Sequence, residues 1–150
     1  MPGPAVHFRL TMNLALAAGF PEDEAELIGR ADMRVDEKTP GSRYWWLHFN
    51  PTASLVFAPL EMRRARAAQR LGDRAAALEH LGRSIHMRQD AIGHGRFGLS
   101  HLMWDFKLMK RHPDDWDTMP VAVRARIEKA TWRALRRIQA GEPEAEAGAL

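Results

Sequence analysis

Apolar positions recur along most of this chain at intervals of three and four, and strict alternation is nearly absent. That spacing predicts helices rather than strands. Residues 7–19, HFRLTMNLALAAG, place Leu10, Leu14 and Ala17 on one side, and Gly19 is a plausible stop. Pro21 followed by Glu22, Asp23 and Glu24 opens a second helix with acids near its positive end, and it runs to about Asp36. Residues 38–54, punctuated by Pro40, Gly41 and Pro51, read as a loop. A third helix is expected over 54–71, ending at Gly72, and Asp73 caps a fourth over 74–92. GHGRFGLS (93–100) is irregular, with Ser100 able to cap a fifth helix from His101. RHPDDWDTMP (111–120) reads as turns. A last helix over 120–140 carries Val123, Ile127, Ala130, Ala134 and Ile138 as its apolar stripe. The tail GEPEAEAGAL (141–150) is expected to be disordered. With no internal repeat or linker, residues 1–150 read as one domain, an all-α bundle of five or six helices.

Composition adds boundaries to this picture. A chain of 150 residues, 45% hydrophobic and 27% charged, can bury a core of its own. It has no cysteine, which excludes disulfides and thiolate metal sites. MPGPAVHFRL at the start has no long apolar run and no cleavage signature, so neither a signal peptide nor a transmembrane helix is expected, and the cytoplasm is the default location. The net charge of +3 owes much to two arginine clusters, RRARAAQR (63–70) and RARIEKATWRALRR (124–137). A nucleic-acid footprint is compatible with them, but the simpler reading is a solvated, arginine-rich surface.

The chemistry lies in the placement of histidine and aspartate. In HLGRSIHMRQDAIGHG (80–95), His86, Asp90 and His94 follow at four-residue steps and stack along one helical face. A buried stripe would normally be apolar, and a solvated one lysine and glutamate. His101 and Asp105 repeat the spacing, His7 opens the first helix, and His48 lies in the aromatic loop YWWLHF (44–49). Asp32 and Asp36 end the second helix one turn apart; either could point inward, and the helix end favours Asp36. Clustered histidines and ionised carboxylates are costly to bury unless a cation balances them. A nitrogen and oxygen donor set without sulfur suits zinc, and also manganese or iron.

Other features read more simply. Gly82, one turn before His86, marks either room for a ligand or, the favoured reading, a close helix–helix contact. His80 and His112 read as structural or surface residues. Trp45 or Trp46 either stacks on a ligand or anchors its loop over the core, and Trp104 is a candidate pocket wall.

HFRLTMNLALAAGFPEDEAELIGRADMRVDE, then WWLHF, then EHLGRSIHMRQDAIGHG resembles the zinc-dependent phospholipase C and single-strand nuclease superfamily, especially its short bacterial members. The likeness covers about residues 7–105, and LG-x-x-x-H-x-x-QD-x-x-x-H is its specific part. It implies helices around a cluster of two or three zinc ions that hydrolyse phosphate esters. Asp36, His48, His86 and Asp90 would hold one ion, and His94, His101 and Asp105 a second. His7 would hold a third with Asp90 as a bridge. Asp36 or Asp90 would orient or deprotonate the attacking water. Secreted members complete the third site with an N-terminal Trp, where this chain has MPGPAVH.

The resulting expectation is a metal-dependent hydrolase of phosphoric esters using a zinc-activated water, its substrate a phospholipid, a nucleic acid or a small phosphate ester. The competing expectation is a helical module that binds metal without catalysis and serves as a binding or regulatory protein. A third class, helical phosphohydrolases with an adjacent His-Asp pair, is set aside because no such dipeptide occurs.

Overall fold

In the computed structural model, residues 5–38, 53–93 and 116–141 are described. They form five helices, with no strand among them. Helix α1 opens as a π-helical segment, Ala5–Leu10, and continues as an α-helix over Thr11–Ala17. The junction is continuous, since Leu10 keeps helical dihedrals. Gly19, at φ +92°, turns the chain in the left-handed region that glycine tolerates. Helix α2 (Glu22–Lys38) begins with the acids Glu22, Asp23 and Glu24. Helix α3 runs as a π-helical Ala53–Phe57 and an α-helical Ala58–Arg70. Gly72 (φ +76°) ends the turn after it, and Asp73 Oδ1 then accepts the Ala76 N–H at 3.1 Å, capping α4 (Arg74–Gly93). Helix α5 (Val121–Gln139) starts immediately after Pro120.

Helix α4 is the centre of the bundle and packs against α2, α3 and α5. Ten of its residues are buried, on more than one face, which a helix surrounded by others requires. Ile28, Met62, Leu78, Leu81, Ile85, Leu135 and Ile138 form the main core. A smaller group of Val6, Met119 and Ile127 closes the end where α4 finishes. Each such fully buried side chain stabilises the fold by roughly 1.5–3 kcal/mol. Arg74 at the head of α4 makes two parallel hydrogen bonds to Glu24 of α2, at 2.8 and 2.7 Å, which fixes the start of the two helices against each other.

The all-α reading of the sequence holds, and four of its helices appear close to their expected limits. The stripe on α5 is also recovered: Ile127, Ala134 and Ile138 are buried and Val123 and Ala130 half-buried. On α1 the expected stripe is recovered only in part, Leu14 and Leu10 packing against the edges of the two cores. Ala17 is exposed and Leu10 and Leu14 are only half-buried, whereas Val6, His7, Thr11, Ala15 and Ala18 face inward. The helix is rotated from its apolar face because His7 and Thr11 are polar residues with buried partners. The loop core (39–52), the segment from His94, the helix expected from His101 and the tail from residue 142 lie outside the described residues. No helix among the described residues is long and apolar enough to cross a membrane.

Candidate metal centre

Three helices bring the polar residues together, and a missing side chain lets them do so. A Cβ built on Gly82 of α4 would lie 2.5 Å from Ile28 O, 2.7 Å from Ala31 Cβ and 2.9 Å from Asp32 N, all on α2. Glycine therefore lets the two backbones touch one turn before His86 and beside Asp32. The favoured reading of Gly82, a close helix–helix contact, is correct, and the contact is what sets Asp32 against His86.

His7, Asp32, His86 and Asp90 are buried to within 1% exposure, and Asp36 retains 14% of its side chain in contact with solvent. His7 and His86 lie alongside each other, ring centroids 4.2 Å apart and planes tilted by 34°. Both turn Nδ1 toward the same atom. Asp32 Oδ1 is 2.9 Å from His7 Nδ1 and 3.2 Å from His86 Nδ1. An ionised carboxylate can only accept, so each Nδ1 carries a hydrogen and donates it. His7 Nδ1 is also 2.9 Å from Gln89 Oε1. Thr11 Oγ1 donates to Asp32 Oδ2 at 2.6 Å, and Gln89 Nε2 donates to Thr11 Oγ1 and to Thr131 Oγ1. The network ties α1, α2, α4 and α5 together.

The opposite edges of the two rings face two other carboxylates. His7 Nε2 is 3.3 Å from Asp90 Oδ1 and 3.7 Å from Asp36 Oδ2. His86 Nε2 is 3.2 Å from Asp90 Oδ2 and 3.6 Å from Asp36 Oδ1. Donor atoms of His7, Asp36, His86 and Asp90 all lie within 4.8 Å of one another. Metal–ligand bonds of about 2.0–2.2 Å in a tetrahedral site imply ligand-to-ligand separations of about 3.3–3.6 Å. The four histidine–aspartate separations, 3.2–3.7 Å, lie near that scale, and the set with one atom from each residue spreads to within 4.8 Å. His7 Nε2 is buried and has no hydrogen-bond partner among the described residues, a cost that coordination would remove. These four residues could hold a metal ion.

The electrostatics agree with the geometry. Burial by itself pushes both imidazoles down. The Asp32 and Asp90 carboxylates outweigh it, raising His7 well above the usual histidine value and His86 to about 9, with the neighbouring His7 opposing the rise at His86. Three carboxylates and two imidazoles thus share a pocket that, without a cation, holds extra protons.

Of the residues singled out in the sequence, the structure brings His7, Asp36, His86 and Asp90 into one group. His7 stands in the same group as His86 and Asp90. Asp36 faces the Nε2 atoms, as the helix end suggested, and Asp32 also points inward but toward Nδ1. His48, His94, His101 and Asp105 lie outside the described residues, as do Trp45, Trp46, Trp104 and His112. His80 is structural: its Nδ1 lies 2.7 Å from the buried Glu61, which also accepts from Arg64. Thr11, Gln89 and Thr131 were not anticipated. Gln89 could have been, since it lies three residues after His86 on the inward face of α4. No family model, curated protein or solved structure matches the chain.

Proposed function

We propose that the protein is a metal-dependent hydrolase of phosphoric esters, with zinc the favoured ion and manganese or iron as alternatives. The observation that carries this reading is the convergence of two imidazole Nε2 atoms and two aspartates on one space. The sequence resemblance to the zinc-dependent phospholipase C and nuclease superfamily supplies the reaction class. In that reading His48, His94, His101 and Asp105 complete a site of two or three ions. A divalent cation held there would supply Lewis acidity and a water whose pKa falls toward neutrality.

The chain's own residues have separable tasks. On losing their Nε2 protons, His7 and His86 would present lone pairs to the ion, and Asp90, buried beside both, supplies negative charge that a cation would balance. Asp36 is the only one of the four with appreciable solvent contact. It is the carboxylate best placed to orient an entering water or take its proton. A phospholipid, a nucleic acid or a small phosphate ester fits this chemistry equally.

One observation favours the second reading, a metal-binding module without catalysis. Four protein donors converge, enough to close a tetrahedral shell around one ion, and closed shells of this kind belong to structural sites. Hydrolysis assays on bis(p-nitrophenyl) phosphate, p-nitrophenyl phosphate, short-chain phosphatidylcholine and single-stranded DNA separate the two. Turnover of at least one, abolished by chelator and restored by zinc, is expected. Metal-loaded protein that turns over none of them would favour the module.

A further inference from the structure

The most deeply buried carboxylate in the pocket is not one of the two that face the Nε2 atoms. Asp32 has no solvent exposure, and its Oδ1 is shared by the Nδ1 atoms of both histidines. Its other oxygen is held by the Thr11 hydroxyl at 2.6 Å. Both lone-pair regions of the carboxylate are thereby engaged and its orientation is fixed. Thr11 is in turn held by Gln89, whose side chain also reaches His7 and Thr131. Nothing in this arrangement leaves Asp32 free to swing to the far side of the rings.

A metal-ligating histidine commonly gives its second ring N–H to a carboxylate, which fixes the tautomer and ring orientation and raises the basicity of the ligating nitrogen. Here one carboxylate stands behind two histidines at once. We propose that Asp32 is a positioning residue that holds His7 and His86 in the Nδ1–H form, so that a divalent cation is bound through Nε2 of both. This rests on the metal reading above and goes beyond it by fixing the binding atom of each histidine and by removing Asp32 from the ligand set. The Gly82 contact is part of the same device, because it brings the α2 backbone at Asp32 against α4.

Cobalt(II) serves as the probe, loaded into the chelator-stripped full-length chain. Its visible absorption reports uptake, and proton NMR reports the bound imidazoles. An imidazole bound through Nε2 shows one sharp, strongly shifted signal, its Nδ1–H, which vanishes in D2O. One bound through Nδ1 adds a sharp ring C–H signal that survives D2O. Loss of signals in His7→Ala and His86→Ala assigns them. The expected result is one sharp exchangeable signal for each residue, with no surviving companion. Asp32→Asn should move both signals and weaken cobalt(II) binding 10–100-fold, the usual effect of losing such a partner. A surviving companion signal for either histidine, in wild-type protein, overturns the inference whether or not the variant folds. So does an Asp32→Asn protein with unmoved signals and undiminished affinity. Absence of any cobalt(II) absorption overturns the metal reading itself, and this inference with it.

Discussion

Gly82 and Asp32 touch: a methyl group at Gly82 would sit 2.9 Å from the Asp32 amide nitrogen, and closer still to Ile28 O and Ala31 Cβ. Two of those three atoms are backbone and cannot turn away. Gly82→Ala should therefore force α2 and α4 apart. Overpacking of this kind costs about 1–3 kcal/mol, and the better helix propensity of alanine returns at most about 1. We expect a loss of about 1–2 kcal/mol, or a melting temperature lower by about 2–8 °C, together with weaker metal binding. Gly93→Ala is the control, since the added methyl meets only Met119 Cε at 3.6 Å and Ile127 Cδ1 at 3.7 Å. Equal melting temperatures for Gly82→Ala and wild type would show that the contact is looser than described.

Binding of a divalent cation to the folded chain alone must raise its stability. At a free ion concentration 100 times the dissociation constant the gain is about 2.7 kcal/mol. For a chain of this length that is a rise of about 5–11 °C. Asp90→Asn keeps the shape of the side chain but removes charge between the two Nε2 atoms, so the rise should shrink to a small fraction. Thermal denaturation with and without zinc checks this. A rise of equal size in wild type and variant would place the ion elsewhere.

The chelated protein should lose stability as pH rises. The folded-state pKa of His86 is raised to about 9, and that of His7 is raised as well, against an unfolded value near 6.5. A raised histidine pKa contributes stability that is fully present below about pH 6.5 and is lost as pH climbs through the folded value. Melts of chelated protein across pH 6–10 should fall through that window. Metal binding should run the other way and strengthen with pH, because the same protons must leave Nε2. Chelated melts that stay level or rise between pH 6.5 and 9 would contradict the assignment.

These expectations depend on parts of the structure that were unequally legible in the sequence. The His86–Asp90 pair declares itself by its spacing, because four residues on a helix share a face. The inward face of α1 did not, because its central members are His7 and Thr11 and hydrophobic periodicity points to Leu10 and Leu14 instead. Asp32 and Asp36 share a spacing too, yet they serve opposite edges of the histidine rings. Which serves which depends on the depth of α2 against α4, set by the Gly82 contact, and no local pattern encodes that. Gln89 and Thr131 meet across 42 positions of sequence, so their hydrogen bond could only be found in the folded chain.

A control for the account lies where α3 packs against α4. Glu61 is buried on α3 and accepts from His80 at 2.7 Å and from Arg64. Glu61→Ala strips a partner from both and should cost about 1–3 kcal/mol. It should leave zinc affinity unchanged, because none of the four converging residues is involved. Isothermal titration with zinc, run beside a thermal melt, reads both effects, and a loss of affinity would mean that the two clusters are coupled.

The central claim is that His7, Asp36, His86 and Asp90 jointly hold a divalent cation, and the most direct measurement is metal content. Protein purified from zinc-supplemented cells, desalted and analysed for elements, should carry at least one divalent ion per chain. His86→Ala prepared in parallel should carry measurably less. Wild-type protein free of divalent metal, and still free of it after incubation with zinc, manganese or iron and desalting, would contradict the account.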